Sequence, residues 1–417
     1  MSFEDLGLSQ TIAETVIELG YKTPTPVQVK AIPEVMKGKD VLVGAQTGTG
    51  KTAAFALPII QRIGENMKTG LKNPRALILT PTRELAIQVE SSIRRYAEKT
   101  PIRSIAVYGG ERIQSQKNKI KEGVDIVVAT PGRLFDHIAA NNIKLDDIDM
   151  FVLDEADRML DLGFIDAIRK IIKKLPQYRQ TMMFSATYNK GIKNIAGTVL
   201  RDPVHIEVTT RNAAAQNVSH FVYPIVRERK KMLLSHLIKE EKLEQVLVFT
   251  RTKKGADSVA KELRAQNIKA TAIHSDKNQF ERSRALKSFK SKSVRILVAT
   301  DIAARGLDID TLPHVINYEM PEVAEDYIHR IGRTGRAGAK GTAYSFVSDH
   351  EIEILAKIET MLSKKIERKF VPGIKKLAVT TQAAKKHDRE VRQAKKDPFA
   401  KMGIMRKRNP NKKKKRR

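Results

Sequence analysis

The segment Ala45 to Thr52, AQTGTGKT, has the residue types of a phosphate-binding loop. Gly48 and Gly50 let backbone N–H groups curl around an anion, Lys51 brings a point charge to β and γ phosphates, and Thr52 offers a hydroxyl to Mg²⁺. Ala45 stands where the pattern has its first glycine. A Gly/Thr-rich turn that merely opens a helix is the plainer reading, but a GKT directly after an apolar run is seldom that. Downstream, MFVLDEAD delivers Asp154 and Glu155 at the end of another apolar run. Asp154 suits Mg²⁺, held through water, and Glu155 suits the orienting or deprotonation of an attacking water. Taken alone, the pair could be a solvated strand end; beside the loop it points to phosphoryl transfer. HRIGRTGRAG, from His329 to Gly338, sets Arg330, Arg333 and Arg336 three residues apart. That spacing predicts several guanidiniums on one side, suited to developing phosphate charge.

These groups need elements to hold them. Short Val/Ile/Leu runs recur, each followed by a helical pattern: VLVG, ALILTP, SIAVYGG, DIVVATP, MFVLDEAD and MMFSAT, then VLVFTRT, ATAIHSD, RILVATD, HVINYEMP and TAYSFVS. Runs without polar alternation predict strands buried on both faces, and their alternation with helices predicts parallel sheets in an α/β architecture. ALILTPTRE resembles VLVFTRTKKG, and DIVVATPGR resembles RILVATDIAARG, so two units of similar plan are expected. The predicted organisation is residues 1–208, a linker at 209–217 (from TTRNAAAQN), a second unit at 218–372 and a basic, disordered tail at 373–417. The polar signatures follow the strands directly, and ligands of parallel sheets bind beyond the strands' carboxyl ends. The phosphate loop, PTRE, GG, TPGR, DEAD and SAT are therefore expected along one edge of the first sheet. The second unit has no phosphate loop, so an Arg supplied across the interface would explain why both are present.

The chain of 417 residues is long enough for two domains plus appendages. It carries 77 Lys/Arg against 47 Asp/Glu, a net charge of +30, which attracts polyanions. From Thr381 to Arg417 there are 16 Lys/Arg and 3 Asp/Glu, a net +13 clustered in the tail. Solubility alone does not require such clustering. The absence of cysteine excludes disulfides, thiolate metal sites and a Cys nucleophile, and fits a reducing compartment. No apolar run approaches the ~18 residues of a membrane span. MSFEDLGLSQ lacks the basic start of a signal peptide.

With these residues assembled, the chain resembles the DEAD-box RNA helicases of superfamily 2, over roughly Ser2 to Glu367. The motifs that carry the resemblance stand in the family's order: GYKTPTPVQ (Gly20 to Gln28), AQTGTGKT, PTREL (Pro81 to Leu85), Gly109-Gly110, TPGR (Thr130 to Arg133), DEAD (Asp154 to Asp157), SAT (Ser185 to Thr187), VFTRT (Val248 to Thr252), QFER (Gln279 to Arg282), ATDIAARGLDI (Ala299 to Ile309) and HRIGRTGR. MSFEDLGLS and the lysine-rich tail resemble the bacterial RhlE-like subgroup. One departure is His274-Ser275, where the family usually has His-Gly.

The resemblance implies two tandem RecA-like domains and an RNA-stimulated ATPase that uses ATP and Mg²⁺. It implies an ATP site of Phe3, Tyr21, Gln28, Ala45, Gln46, Thr47, Gly48, Thr49, Gly50, Lys51, Thr52 and Asp308, with Tyr21 stacked on adenine, Gln28 reading its edge and Asp308 at the ribose. Thr52 and Asp154 would serve the metal. Lys51, Asp154, Glu155, Ser185, Thr187 and the arginine fingers Arg333 and Arg336 would serve catalysis, Ser185 and Thr187 coupling the γ-phosphate to domain closure. RNA contacts fall to Arg83, Gly109, Gly110, Thr130, Arg133, Arg282 and Thr300. Aromatics are 5% of the chain and Trp is absent, so backbone contacts rather than base stacking should dominate, with little sequence preference. Expected partners are structured or duplex RNA, including ribosomal or messenger ribonucleoprotein, in the cytoplasm, with no membrane. The rival readings are a non-catalytic RNA clamp and a DNA helicase.

Overall fold

The computed structural model describes residues 1–45, 48–66, 73–187, 190–208, 217–304, 309, 312–335 and 340–372. The tail expected at 373–417 lies outside them, as does the linker expected at 209–217 except for Asn217.

Two seven-stranded, wholly parallel sheets form the framework. The first holds β1 (Val41–Gly44), β2 (Ala76–Leu79), β3 (Ser104–Val107), β4 (Ile126–Ala129), β5 (Met150–Leu153), β6 (Gln180–Ser185) and β7 (Val204–Glu207). The second holds β8 (Val218–Pro224), β9 (Val246–Thr250), β10 (Ala270–Ile273), β11 (Ile296–Thr300), β12 (His314–Asn317), β13 (Gly341–Val347) and β14 (Glu367–Arg368). The orders are β3-β4-β2-β5-β6-β1-β7 and β10-β11-β9-β12-β13-β8-β14. One order maps onto the other strand for strand, and the two internal resemblances coincide with that mapping: β2 with β9, and β4 with β11.

Apolar strands without alternation arise because both faces are covered. Along β2, Ala76 and Ile78 enter one core while Leu77 and Leu79 enter the other. Along β9, Val246 and Val248 divide from Leu247 and Phe249 in the same way. The paired strands also share their exits. Thr82 and Thr252 each cap the following helix, accepting from Leu85 N at 3.3 Å and Gly255 N at 3.0 Å. Three strands were not expected from the sequence. β7 is an edge strand with one buried residue, β8 mixes polar and aromatic positions, and β14 has two residues, so none carries a long apolar run.

Among the described residues, no helix is long and apolar enough to cross a membrane.

Candidate nucleotide and RNA sites

Strand order sorts the motifs of the first sheet into two groups. β5, β6 and β1 are neighbours, so DEAD, SAT and the phosphate loop leave the sheet side by side. β3, β4 and β2 are neighbours on the other half, which brings Gly109-Gly110, TPGR and PTREL together.

The phosphate loop is tied down on both flanks. Ala45 N donates to Ser185 O at 3.1 Å, joining it to the SAT strand. Gln28 Nε2 donates to Gly50 O at 3.1 Å, and Gln28 Oε1 accepts from Thr25 N at 2.9 Å. Gly48 and Gly50 have φ of 82° and 91°. A Cβ at Gly50 would stand 2.5 Å from Gln28 Nε2, so glycine is required there for space as well as for backbone conformation. Lys51 is buried at the start of the helix Lys51–Glu65, and among the described residues its Nζ has no hydrogen-bond partner. Thr52 and Thr49 are half-buried beside it.

Asp154 closes β5 at 3% exposure, with Oδ1 also unpartnered. Burial pushes its carboxyl up to about 6, against the pull of the Lys51 ammonium. Glu155 takes the left-handed conformation, φ 52° and ψ 52°, where a non-glycine residue is strained. Asp157 Oδ2 accepts from Ala186 N at 3.1 Å, and Ser185 Oγ donates to Thr187 O at 2.8 Å. DEAD and SAT are thus one hydrogen-bonded unit.

A cleft lined by Lys51, Glu155, Asp157, Arg158, Asp161 and Ala186 is completed by His329 and Arg333 from the second domain. The spacing argument grouped Arg330 with Arg333; both border one small cavity beside Asp301, but only Arg333 also lines this cleft. Arg330 faces inward on the helix Ala324–Ile331, forked onto Asp301 with two contacts of 2.6 Å and bonded to Glu319 O at 2.6 Å. The helix stops at Gly332, just before Arg333.

Sequence reasoning passed over Arg158 and His329. The Arg158 guanidinium is buried, and among the described residues none of its three nitrogens has a hydrogen-bond partner. The His329 imidazole is pushed below its ordinary value by burial, opposed by Asp157 and Glu155. Arg158 directly follows DEAD, and that adjacency was the available signal.

In the second group, the Arg83 guanidinium lies over Gly110, whose φ is 93°; a Cβ there would overlap it. Gly109 lies close by, its would-be Cβ 3.9 Å from Arg83 Nη2. Thr130 is buried at the end of β4, its N–H donating to Val107 O at 2.9 Å. Arg133 donates to Glu111 O at 3.0 Å and to Gln116 Oε1 at 3.3 Å, bracing the Gly109-Gly110 loop. Thr300, buried, ends β11 in register with Thr250. Arg282 crosses to the first domain and meets Glu84 at 2.6 Å, both side chains largely buried.

Two family profiles match, DEAD/DEAH box helicase over residues 25–195 and helicase conserved C-terminal domain over residues 229–338. The chain is 41% identical over 373 residues to the DEAD-box ATP-dependent RNA helicase RhpA of Helicobacter pylori, covering 89% of this chain and 75% of that one. The chain belongs to the DEAD-box ATP-dependent RNA helicases. It is 39% identical to CshA of Bacillus cereus, over 89% of this chain and 70% of the relative. Among solved structures, S. cerevisiae Dbp5 bound to RNA and ADP BeF3 superposes with a TM-score of 0.79 at 29% identity, over 94% of this chain and 99% of that one. Both units of this DEAD-box chain are therefore RecA-like.

For the remaining expected residues the structure is specific. Tyr21 is half-buried, with its hydroxyl 3.1 Å from that of Tyr96. Phe3 is 2% exposed in the core that also takes the buried face of Lys51–Glu65. The Gln28 carbonyl is committed to Thr25 N and one amide hydrogen to Gly50 O, leaving one N–H for a nucleotide edge. Gln46, Thr47, Asp308 and Arg336 lie outside the described residues.

The Arg83–Gly110 packing carries a prediction. Gly110→Ala adds left-handed strain of ~1–3 kcal/mol and pushes the Arg83 guanidinium from its place over the loop. RNA affinity should fall by about tenfold, while ATP binding to the RNA-free protein stays near wild type, since Gly110 is on the other half of the sheet. Fluorescence anisotropy with labelled RNA, beside a nucleotide titration, checks both.

Proposed function

We propose that this helicase couples ATP binding and hydrolysis in the interdomain cleft to local separation of RNA duplexes and remodelling of RNA–protein complexes, with little sequence preference. The observation that carries the reading is the cleft itself. Lys51, Glu155 and Arg158 come from one domain and His329 and Arg333 from the other, so the site is complete only when the domains meet. Buried, unpartnered Lys51 Nζ, Asp154 Oδ1 and the Arg158 guanidinium are the groups that a polyphosphate and its cation would satisfy. Thr52 and Asp154 would hold Mg²⁺, which neutralises charge on the phosphates. Lys51 binds phosphate, Glu155 takes the proton of the attacking water, and Arg333 with Arg336 stabilises the charge that develops. Asp157, bonded to Ala186 N, passes the state of the phosphate site to SAT. Closure also brings Arg282 to Glu84, next to Arg83, so the two halves of an RNA groove assemble with the ATP site.

Phosphate release measured with and without RNA tests this reading, and RNA and DNA of one sequence in competition test the choice of nucleic acid. Lack of RNA stimulation would leave the non-catalytic clamp standing. The opening MSFEDLGLS and lysine-rich tail support an RhlE-like member acting on ribosomal or messenger ribonucleoprotein in the cytoplasm.

The tail supports a further expectation. Its net +13 from Thr381 onward suits a sequence-blind tether that raises RNA concentration near the groove. Deletion from Thr381 should weaken RNA affinity and unwinding, with hydrolysis at saturating RNA almost unchanged. If five charges engage, the slope of log affinity against log salt should fall by roughly 3 to 4. Equal slopes with and without the tail would reduce it to a solubility device.

A further inference from the structure

The helix Gln279–Lys290 presents two contrasting faces. Ala285 and Phe289 are buried in the second domain, and Arg282, toward the first domain, is held by Glu84. The opposite face carries Phe280, Arg284 and Lys287, spaced i, i+4 and i+7, which places them in a single stripe. All three are exposed, and Phe280 is 75% exposed, a large apolar ring left in water. Among the described residues neither Arg284 nor Lys287 meets a carboxylate. The nearest acid on the helix, Glu281, is closed into its capping box, accepting from Asn278 N at 2.9 Å.

Position matters as much as composition. The helix begins beyond the carboxyl end of β10, next to β11 and Thr300. Its first turn holds Gln279, whose buried Oε1 has no partner among the described residues, and Arg282, which reaches the PTREL helix. The stripe therefore starts at the rim of the groove assembled by the two domains and runs away from it. A protein-docking patch would carry several contiguous apolar side chains. One ring followed by two cations matches instead a single strand of nucleic acid, with a base on the ring and phosphates on the cations.

We infer that this outer face is an accessory site for single-stranded RNA flanking the groove, with Phe280 stacking on an unpaired base and Arg284 and Lys287 holding the following phosphates. The inference rests on the RNA-helicase reading and extends it: the core groove grips backbone, whereas this rim senses whether the flanking strand is unpaired. Duplex RNA, with its bases already stacked, has no free face to offer the ring.

The chain has no tryptophan, so Phe280→Trp introduces a single reporter at an exposed position. Single-stranded RNA should quench the introduced indole, and an abasic strand of equal length should bind without quenching. Phe280→Ala should weaken single-strand affinity by about fivefold or more. Arg284→Ala with Lys287→Ala should lower the salt slope by about 1.4. Unchanged indole emission, or equal quenching by the abasic strand, in a sample that still shows RNA-stimulated phosphate release would overturn the accessory site and leave the helicase reading intact. Absence of RNA-stimulated release from the unsubstituted chain would bring down the helicase reading, and this inference with it.

Discussion

Glu155→Gln should reduce ATP turnover by roughly 10²-fold or more while RNA and ATP still bind. The amide keeps the size of the carboxylate but cannot accept a proton from water. Glu155 is held at φ 52° between Asp154 and the short helix Ala156–Asp161, and it lines the cleft opposite Arg333. That strained backbone turns the side chain away from the strand direction, so its role depends on the conformation of one residue. The RNA complex formed with ATP should also live longer, because a closed state that cannot hydrolyse cannot reset. Single-turnover phosphate release and dissociation of labelled RNA measure the two effects. Near-normal release would remove Glu155 from the role of base.

The second large effect is expected at Arg333. Arg333→Ala should lower hydrolysis by ~10³-fold if its guanidinium meets the developing charge, with a much smaller change in ATP affinity. The reason is geometric. Arg333 belongs to the second domain, whereas Lys51 and Thr52, proposed to hold the phosphates and their cation, belong to the first. Arg330→Ala, three residues away, should behave differently: its fork onto Asp301 and its bond to Glu319 O hold the second domain together, so thermal stability should fall. A loss at Arg333 that appears mainly as weakened ATP binding would defeat the cross-domain assignment. Parallel thermal melts and kcat measurements on the two variants separate these roles.

Much of this protein could be read from the chain alone. Continuous apolar runs of four to six residues between helical patterns announced parallel sheets, because a strand buried on both faces has no polar face to alternate with. The phosphate loop and DEAD were legible because each is a contiguous segment whose chemistry depends on local backbone. The paired resemblances of β2 with β9 and β4 with β11 disclosed a doubled plan before any strand order was known. β7 and β14 escaped notice because edge and short strands bury too little to leave a pattern, and β8 because polar and aromatic positions interrupt its apolar ones.

Tertiary structure decided what proximity decides. Strand order, set by how crossovers pack, placed β5, β6 and β1 together and so divided one row of motifs into two groups. It committed Arg330 to Asp301 within the second domain, while Arg333, beyond the helix end at Gly332, also lines the cleft. It also gave Arg158, His329 and Glu84 their places, through burial and through contact between domains. Local chemistry is written in neighbouring residues, whereas burial and approach between distant segments come into being only when the chain has folded.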